Sequence, residues 1–258
     1  MPVIKKVTTG LVLRETETKE TDKILTVLTP DLGKIPVIAR GARRKGSKIA
    51  AASQLLVYSE MTLCPRGDWF FLDEGSTLAL FDGVRQDVVL LSLGSYFAEL
   101  TEAVLADGLP APEILSLLLN ALYALGVQQR DPALVKAGFE LRLMALAGFA
   151  PMTEHCAVCG REEPAEPMLD VVQGVIHCRK CPLPGGLSLP LTQGSLAALR
   201  HILYCEPKKL YAFSLPDRPL HQLNHVSEAF VASQLERSFR TLDFYKTMQG
   251  KTVPSAEK

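Results

Sequence analysis

Over the first eighty positions short runs rich in Val, Ile, Thr and Leu alternate with turn residues; beyond them apolar residues recur at helical spacing. VIKKVTTGLVLR (3–14) alternates in part and reads as a strand. The polar segment TETKETDK leads to a second strand, ILTVLT (24–29), and the turn PDLGK follows, with Gly33 placed for positive φ. IPVIAR (35–40) is a third strand, and Pro36 near its start suggests an edge. The basic connection GARRKGSK precedes LLVYSEMTL (55–63), the turn CPRGDW, and a fifth strand from Phe70. Five short strands with turn residues between them predict a small barrel.

The period changes near Phe81. From Asp87 to Ala106, Leu90, Leu93, Phe97, Leu100 and Val104 form one apolar row, and Ser92, Ser95, Glu99 and Glu102 a more polar one. Ala111-Pro112 opens a second helix, since Pro is tolerated in a first turn. Asp131-Pro132 opens a third, capped by Asp131, that stops at Gly148. LTQGSLAALRHILYC (191–205) predicts a fourth, and Leu220 to Lys246 a last, with Pro219 just before it. The predicted division is a barrel over 1–80, helices over 81–149, a cysteine module over 150–187, helices over 188–249, and an unstructured tail over 250–258.

That module carries the clearest chemistry. Cys156 and Cys159 are separated by two residues, as are Cys178 and Cys181, with eighteen residues between the pairs. Two thiolates on one tight turn reach a single ion, and a second turn folding back closes a tetrahedron; this is the spacing of a four-thiolate zinc site. Redox work would place CxxC near a βαβ pattern, which is absent here, and disulfides need an oxidising compartment. The N-terminal residues lack an apolar signal core, so a cytosolic chain with reduced thiols is expected. Four cysteines fill the coordination shell, which makes the ion structural. His155 and His177 flank the turns and could replace a cysteine, but with the thiolate set complete they read as solvated. Cys64 and Cys205 stand alone and are expected as small buried hydrophobes.

Composition adds little and charge distribution more. The 258 residues are 47% hydrophobic with zero formal net charge, ample for a core and unlike a strongly basic nucleic-acid coat. Residues 1–80 nevertheless hold twelve Lys and Arg against nine Asp and Glu. The apolar runs free of charge are broken by Pro and Gly or too short to span a membrane. Arg40, Arg43, Arg44, Lys45 and Lys48 lie in one acid-free loop whose two glycines permit close approach, so they suit either a phosphate backbone or plain solvation. Trp69, Phe70 and Phe71 offer stacking platforms or core packing. His221 and His225 have zinc-protease spacing without the glutamate of HExxH, and read as surface residues. No Walker loop, dinucleotide fingerprint or nucleophile elbow is present, so an enzymatic reading has no residues to stand on.

ETDKILTVLTPDLGKIPVIARGARRKGSK (Glu20 to Lys48), FELRLMALAGFAPMTEHCAVCG (139–160) and TLDFY (241–245) together resemble the bacterial DNA repair protein RecO family over nearly the whole chain. The resemblance implies an α+β multidomain protein: an N-terminal OB-fold barrel, then a helical domain with an inserted four-cysteine zinc module. It implies a non-enzymatic mediator of the RecF pathway that binds single- and double-stranded DNA and anneals complementary strands. With RecR it would promote RecA loading on strands coated by single-strand-binding protein. The four cysteines match the family's ligands for one Zn2+, and the five cations match its basic loop. Arg130 and Arg142 are candidates to receive the C-terminal tail of single-strand-binding protein. An RNA-binding zinc protein and a protein-interaction scaffold are the rival readings.

Overall fold

The computed structural model describes residues 5–251. Its first five strands are β1 (Lys6–Thr18), β2 (Asp22–Thr29), β3 (Gly33–Ala39), β4 (Tyr58–Arg66) and β5 (Trp69–Ala79). They close a barrel in the order β1-β2-β3-β5-β4, with β4 returning to β1. This is the OB-fold expected from the sequence. Closure is parallel only at β3 and β5, where Val37 faces Phe70 and Ile38 faces Phe71. Inward alternation builds the core: Val12, Leu25, Val27, Ile35, Val37, Met61, Leu63 and Leu72 cluster inside, closed below by Ala42 and Ile49. Leu11 and Leu28 are cross-strand partners, fully buried yet outside that cluster. The pairing register shifts between Val12 and Arg14, which lets Leu11, Val12 and Leu13 all be buried in succession.

Two details differ from expectation and a third has an added cause. A closed barrel has no edge, so β3 is not an edge strand. Pro36 is tolerated because the ladder to β5 starts one residue later, at Val37. The fourth strand starts at Tyr58 because the chain turns before it, with Leu56 at φ 58° and Leu56 and Val57 buried. Gly33 does adopt positive φ, 65°, and for a second reason: an added Cβ would lie 2.0 Å from the Leu109 carbonyl oxygen.

The helices are α1 (Asp82–Arg85), α2 (Val88–Val104), α3 (Pro112–Gly126), α4 (Pro132–Leu146), α5 (Gln193–Tyr204), α6 (Asp217–Leu235) and α7 (Arg240–Lys251). Caps set their starts. Asp87 accepts from the N–H groups of Val89 and Leu90, Asp131 from Ala133, and Thr192 from Ser195. The last predicted helix is two: Glu236 turns left-handed at φ 50°, and Phe239 packs edge-on against Tyr96 of α2 at 5.7 Å. Gly250 and Lys251, expected in the tail, end α7; the rest of that tail lies outside the described residues.

The chain divides into two compact units. One holds the residues up to Val127 and again from Phe239; the other is Gln128–Ser238. In the second, α4 packs against α5 and α6, and the strands β6 (Pro167–Asp170), β7 (Val175–Cys178) and β8 (Ser188–Pro190) form a sheet in the order β7-β6-β8. Between α4 and α6 lies a buried ionic group. The Lys136 ammonium meets Glu140 at 2.9 Å and Glu228 at 3.3 Å, and Ser227 donates to Glu140. No described helix is long and apolar enough to cross a membrane.

Candidate metal centre and nucleic-acid interface

Two tight turns present the cysteines. The Gly160 N–H donates to the Cys156 carbonyl at 2.9 Å, and the Cys181 N–H to that of Cys178 at 2.8 Å. Cys178 ends β7, so the second turn is mounted on the sheet. The four Sγ atoms all lie within 4.8 Å of one another, with Cys159 and Cys178 at 3.9 Å. A tetrahedron with metal–sulfur bonds of about 2.3 Å needs sulfur–sulfur edges near 3.8 Å. Cys156 and Cys178 are buried, Cys181 is half-buried and Cys159 exposed.

Electrostatics show why this set calls for a cation. Burial pushes the Cys156 thiol up, but the N–H groups of Cys159, Cys178 and Val158 overcome it and hold the group at about 6. Burial pushes Cys178 up, and Cys181 up to about 12, with neighbouring Cys159 and Cys156 reinforcing the rise. One thiolate forms readily and then opposes the others. A divalent ion removes that opposition, so the donor set fits a soft, thiolate-preferring metal.

His177 is buried, not solvated. Its Nδ1 sits 2.9 Å from the Cys178 carbonyl and its Nε2 2.7 Å from the Ser188 hydroxyl, so both ring nitrogens are engaged away from the cluster. His155, His221 and His225 are exposed. Among the described residues the four cysteines are the one group able to hold a metal.

The basic loop divides into three. Arg43 pairs with Glu17 at 2.9 Å and donates to the Glu20 carbonyl. Arg44 and Lys45 are exposed and pair with no acid among the described residues. Arg40 and Lys48 turn to a cleft of about 390 Å³ shared with Ser47, Cys64, Arg66, Phe71 and Asp73. There the guanidinium of Arg40 lies 4.5 Å from the Phe71 ring centroid, and that of Arg66 lies 5.2 Å away. Asp73 is already paired with Lys5 at 2.5 Å. The strand alternation that left the three aromatics open divides them: Phe70 packs against the barrel core, Phe71 faces the cleft, and Trp69 is 39% exposed. Cys64 lines the cleft and Cys205 is half-buried, so neither is the buried hydrophobe expected.

A family model described as Recombination protein O N terminal matches residues 3–81, and one described as Recombination protein O C terminal matches residues 85–243. The chain belongs to the RecO family. It is 31% identical to the DNA repair protein RecO of Acetivibrio thermocellus, over 93% of this chain and 96% of that protein. It is 30% identical to the one from Caldicellulosiruptor bescii, over 96% and 100%. RecO of Symbiobacterium thermophilum is 28% identical, over 93% and 96%.

Within this RecO chain, Arg130 and Arg142 both serve backbone carbonyls. Arg130 donates to Tyr211 and Phe213, and Arg142 to Leu203 at 2.5 Å and to Cys205. Arg142 thereby satisfies the free carbonyls at the end of α5, where helix-dipole charge is negative. Any docked carboxylate would have to share their remaining donors. Arg66 escaped the sequence reading because it sits in CPRGDW, which reads only as a turn. Its signal was the cationic residue opening the β4–β5 turn, next to Trp69 in register.

Proposed function

We propose that this RecO protein binds single- and double-stranded DNA on its OB-fold, anneals complementary strands, and with RecR promotes RecA loading on strands coated by single-strand-binding protein. The observation that carries the DNA reading is the convergence of Arg40, Lys48 and Arg66 on one cleft, with Arg40 and Arg66 over the Phe71 ring and Arg44 and Lys45 without an acidic partner among the described residues. Cations that neutralise phosphates lower repulsion between two strands and raise their local concentration. Backbone contacts leave base edges available, so pairing needs no bond chemistry and no nucleotide hydrolysis. The chain acts as a mediator and not as an enzyme, in the cytoplasm at the nucleoid. Arg130 and Arg142 offer their outer donors to the acidic tail of single-strand-binding protein.

The four cysteines would hold one zinc ion. When bound, zinc cross-links the two cysteine turns; the chain's own residues supply the rest, with β7 carrying Cys178 and Arg200 tying the first turn down. Arg200 donates to the carbonyls of Thr153, Glu154 and Glu162. Fluorescence-monitored pairing of complementary oligonucleotides without ATP tests the function. The protein should accelerate pairing, and Arg44→Glu with Lys45→Glu should slow it while melting temperature holds. No acceleration by the intact protein removes the annealing reading. Equal-length RNA outcompeting DNA would favour the RNA-binding alternative, and failure to bind either would favour a protein scaffold.

A further inference from the structure

We infer that the cleft around Phe71 is a base-accepting subsite that holds one unstacked nucleotide of single-stranded DNA. The inference rests on the DNA-binding reading above and deepens it by assigning the cleft to a single unpaired base. The argument is one of chemistry and size. Three cations, Arg40, Lys48 and Arg66, border the cleft, and its one acid, Asp73, is neutralised by Lys5 at 2.5 Å. A site with that surplus wants an anion. Its wall is aromatic and fixed: Arg40 and Arg66 lie 4.5 and 5.2 Å from the Phe71 centroid, which orders two flat cations about one ring. A flat, π-faced group adds another layer to such a stack, on the ring or on a guanidinium plane. Anion and flat ring together describe a nucleotide.

The volume limits how much enters. Sites for small ligands run from about 300 to 1,000 Å³, and this cleft, at about 390 Å³, lies near the lower bound. It suits one nucleotide, not a run of bases. The bases of a duplex are stacked on both faces, so only a strand with a free base can use the cleft. Arg44 and Lys45 lie outside it and see phosphates of either form. The OB-fold face then has two parts: a cationic rim indifferent to strandedness, and a pocket selective for single strands.

Fluorescence anisotropy with three probes at one salt concentration tests this. The probes are a 15-mer of thymidine, an abasic 15-mer with the same phosphates, and a 15-base-pair duplex. The full-length protein should bind the thymidine strand roughly tenfold more tightly than the abasic one. Phe71→Leu should erase that difference, weakening the thymidine strand far more than the duplex, and Phe71→Trp should restore it. Equal binding of thymidine and abasic strands by the unaltered protein overturns the subsite whether or not any variant folds. So does a Phe71→Leu protein of native melting temperature that keeps the preference or loses duplex binding to the same extent. Thymidine monophosphate should compete only at far higher concentration than the strand; equal competition would make the cleft a free-nucleotide site and overturn the inference. Absence of binding to all three probes would instead remove the DNA-binding reading beneath it.

Discussion

The salt dependence of DNA binding can be worked from the positions of individual cations. Arg40, Arg44, Lys45, Lys48 and Arg66 are exposed and make no ion pair among the described residues, whereas Arg43 is held by Glu17 at 2.9 Å. Each phosphate neutralised on a single strand contributes about −0.7 to the slope of log K against log salt. Five free cations give a slope of about −3.5, so raising salt from about 50 to about 200 mM should weaken binding about a hundredfold. Arg44→Gln with Lys45→Gln removes two counterion-releasing contacts; the slope becomes about −2.1 and the same salt step costs about twentyfold. Arg43→Gln should barely change the slope, since that charge is already compensated. Anisotropy titrations of a labelled thymidine strand at four salt concentrations measure all three. A double variant with the parental slope, at native melting temperature, refutes the assignment of phosphates to this loop. A large change from Arg43→Gln alone would show that the pair with Glu17 opens on binding.

Other perturbations report on the second unit and on the barrel. Cys178→Ala should abolish bound metal, measured by atomic absorption, and lower the melting temperature sharply, because metal binding in small zinc modules supplies about 10–16 kcal/mol of folding energy; native melting without metal would end the structural role. Lys136→Met should cost about 3–5 kcal/mol in urea denaturation, since it removes the cation shared by Glu140, which is fully buried, and Glu228. Lys136→Met with Glu140→Leu should recover most of that loss, because the fully buried carboxylate is removed together with its cation. Gly33→Ala should destabilise the barrel by more than about 1 kcal/mol, as positive φ and the Leu109 carbonyl both oppose a Cβ.

Local chemistry was legible where the chain makes local decisions. Val, Ile and Thr alternation marked β1 to β3; Asp87, Asp131 and Thr192 begin their helices as side-chain caps do; Gly33 and Gly148 sit at positive φ where a turn and a helix end required it. Leu55–Val57 misled because an apolar triplet looks the same in a strand and in a buried turn; only contact with Gly94 of α2, whose added Cβ would lie 2.8 Å from Leu56, distinguishes them. The break at Glu236 carries no Gly or Pro, and the chain turns there because Phe239 finds Tyr96, a partner more than a hundred residues earlier. His177 was read as solvated since sequence cannot show that Cys178 and Ser188 would enclose it. The cleft was half legible: the cations of one loop could be counted, but Arg66 and Phe71 reach it through the pairing of β4 with β5 and the parallel closure onto β3.

On the proposed annealing function, the two parts of the OB-fold face would set requirements that pull in opposite directions. The cationic rim would gain by drawing phosphates from two strands together, and that gain would be shared by single strands and by the duplex they form. The Phe71 cleft would gain from an unstacked base and so would hold the unpaired state. Were every base held, annealing would stall; the cleft's size would prevent this, because it has room for about one nucleotide and would leave the flanking bases free to pair. Once pairing reached that nucleotide, base stacking within the new duplex would replace its contacts in the Phe71 cleft, and only the rim contacts would remain. Those contacts are Arg44 and Lys45, worth a slope of about −1.8 on duplex, so product release should depend less on salt than capture of a single strand does. Phe71→Leu should therefore loosen the grip on single strands while sparing the rate at which bound duplex departs. Duplex dissociation that slows in this variant, followed by stopped-flow at two salt concentrations, would contradict a division of labour between rim and cleft.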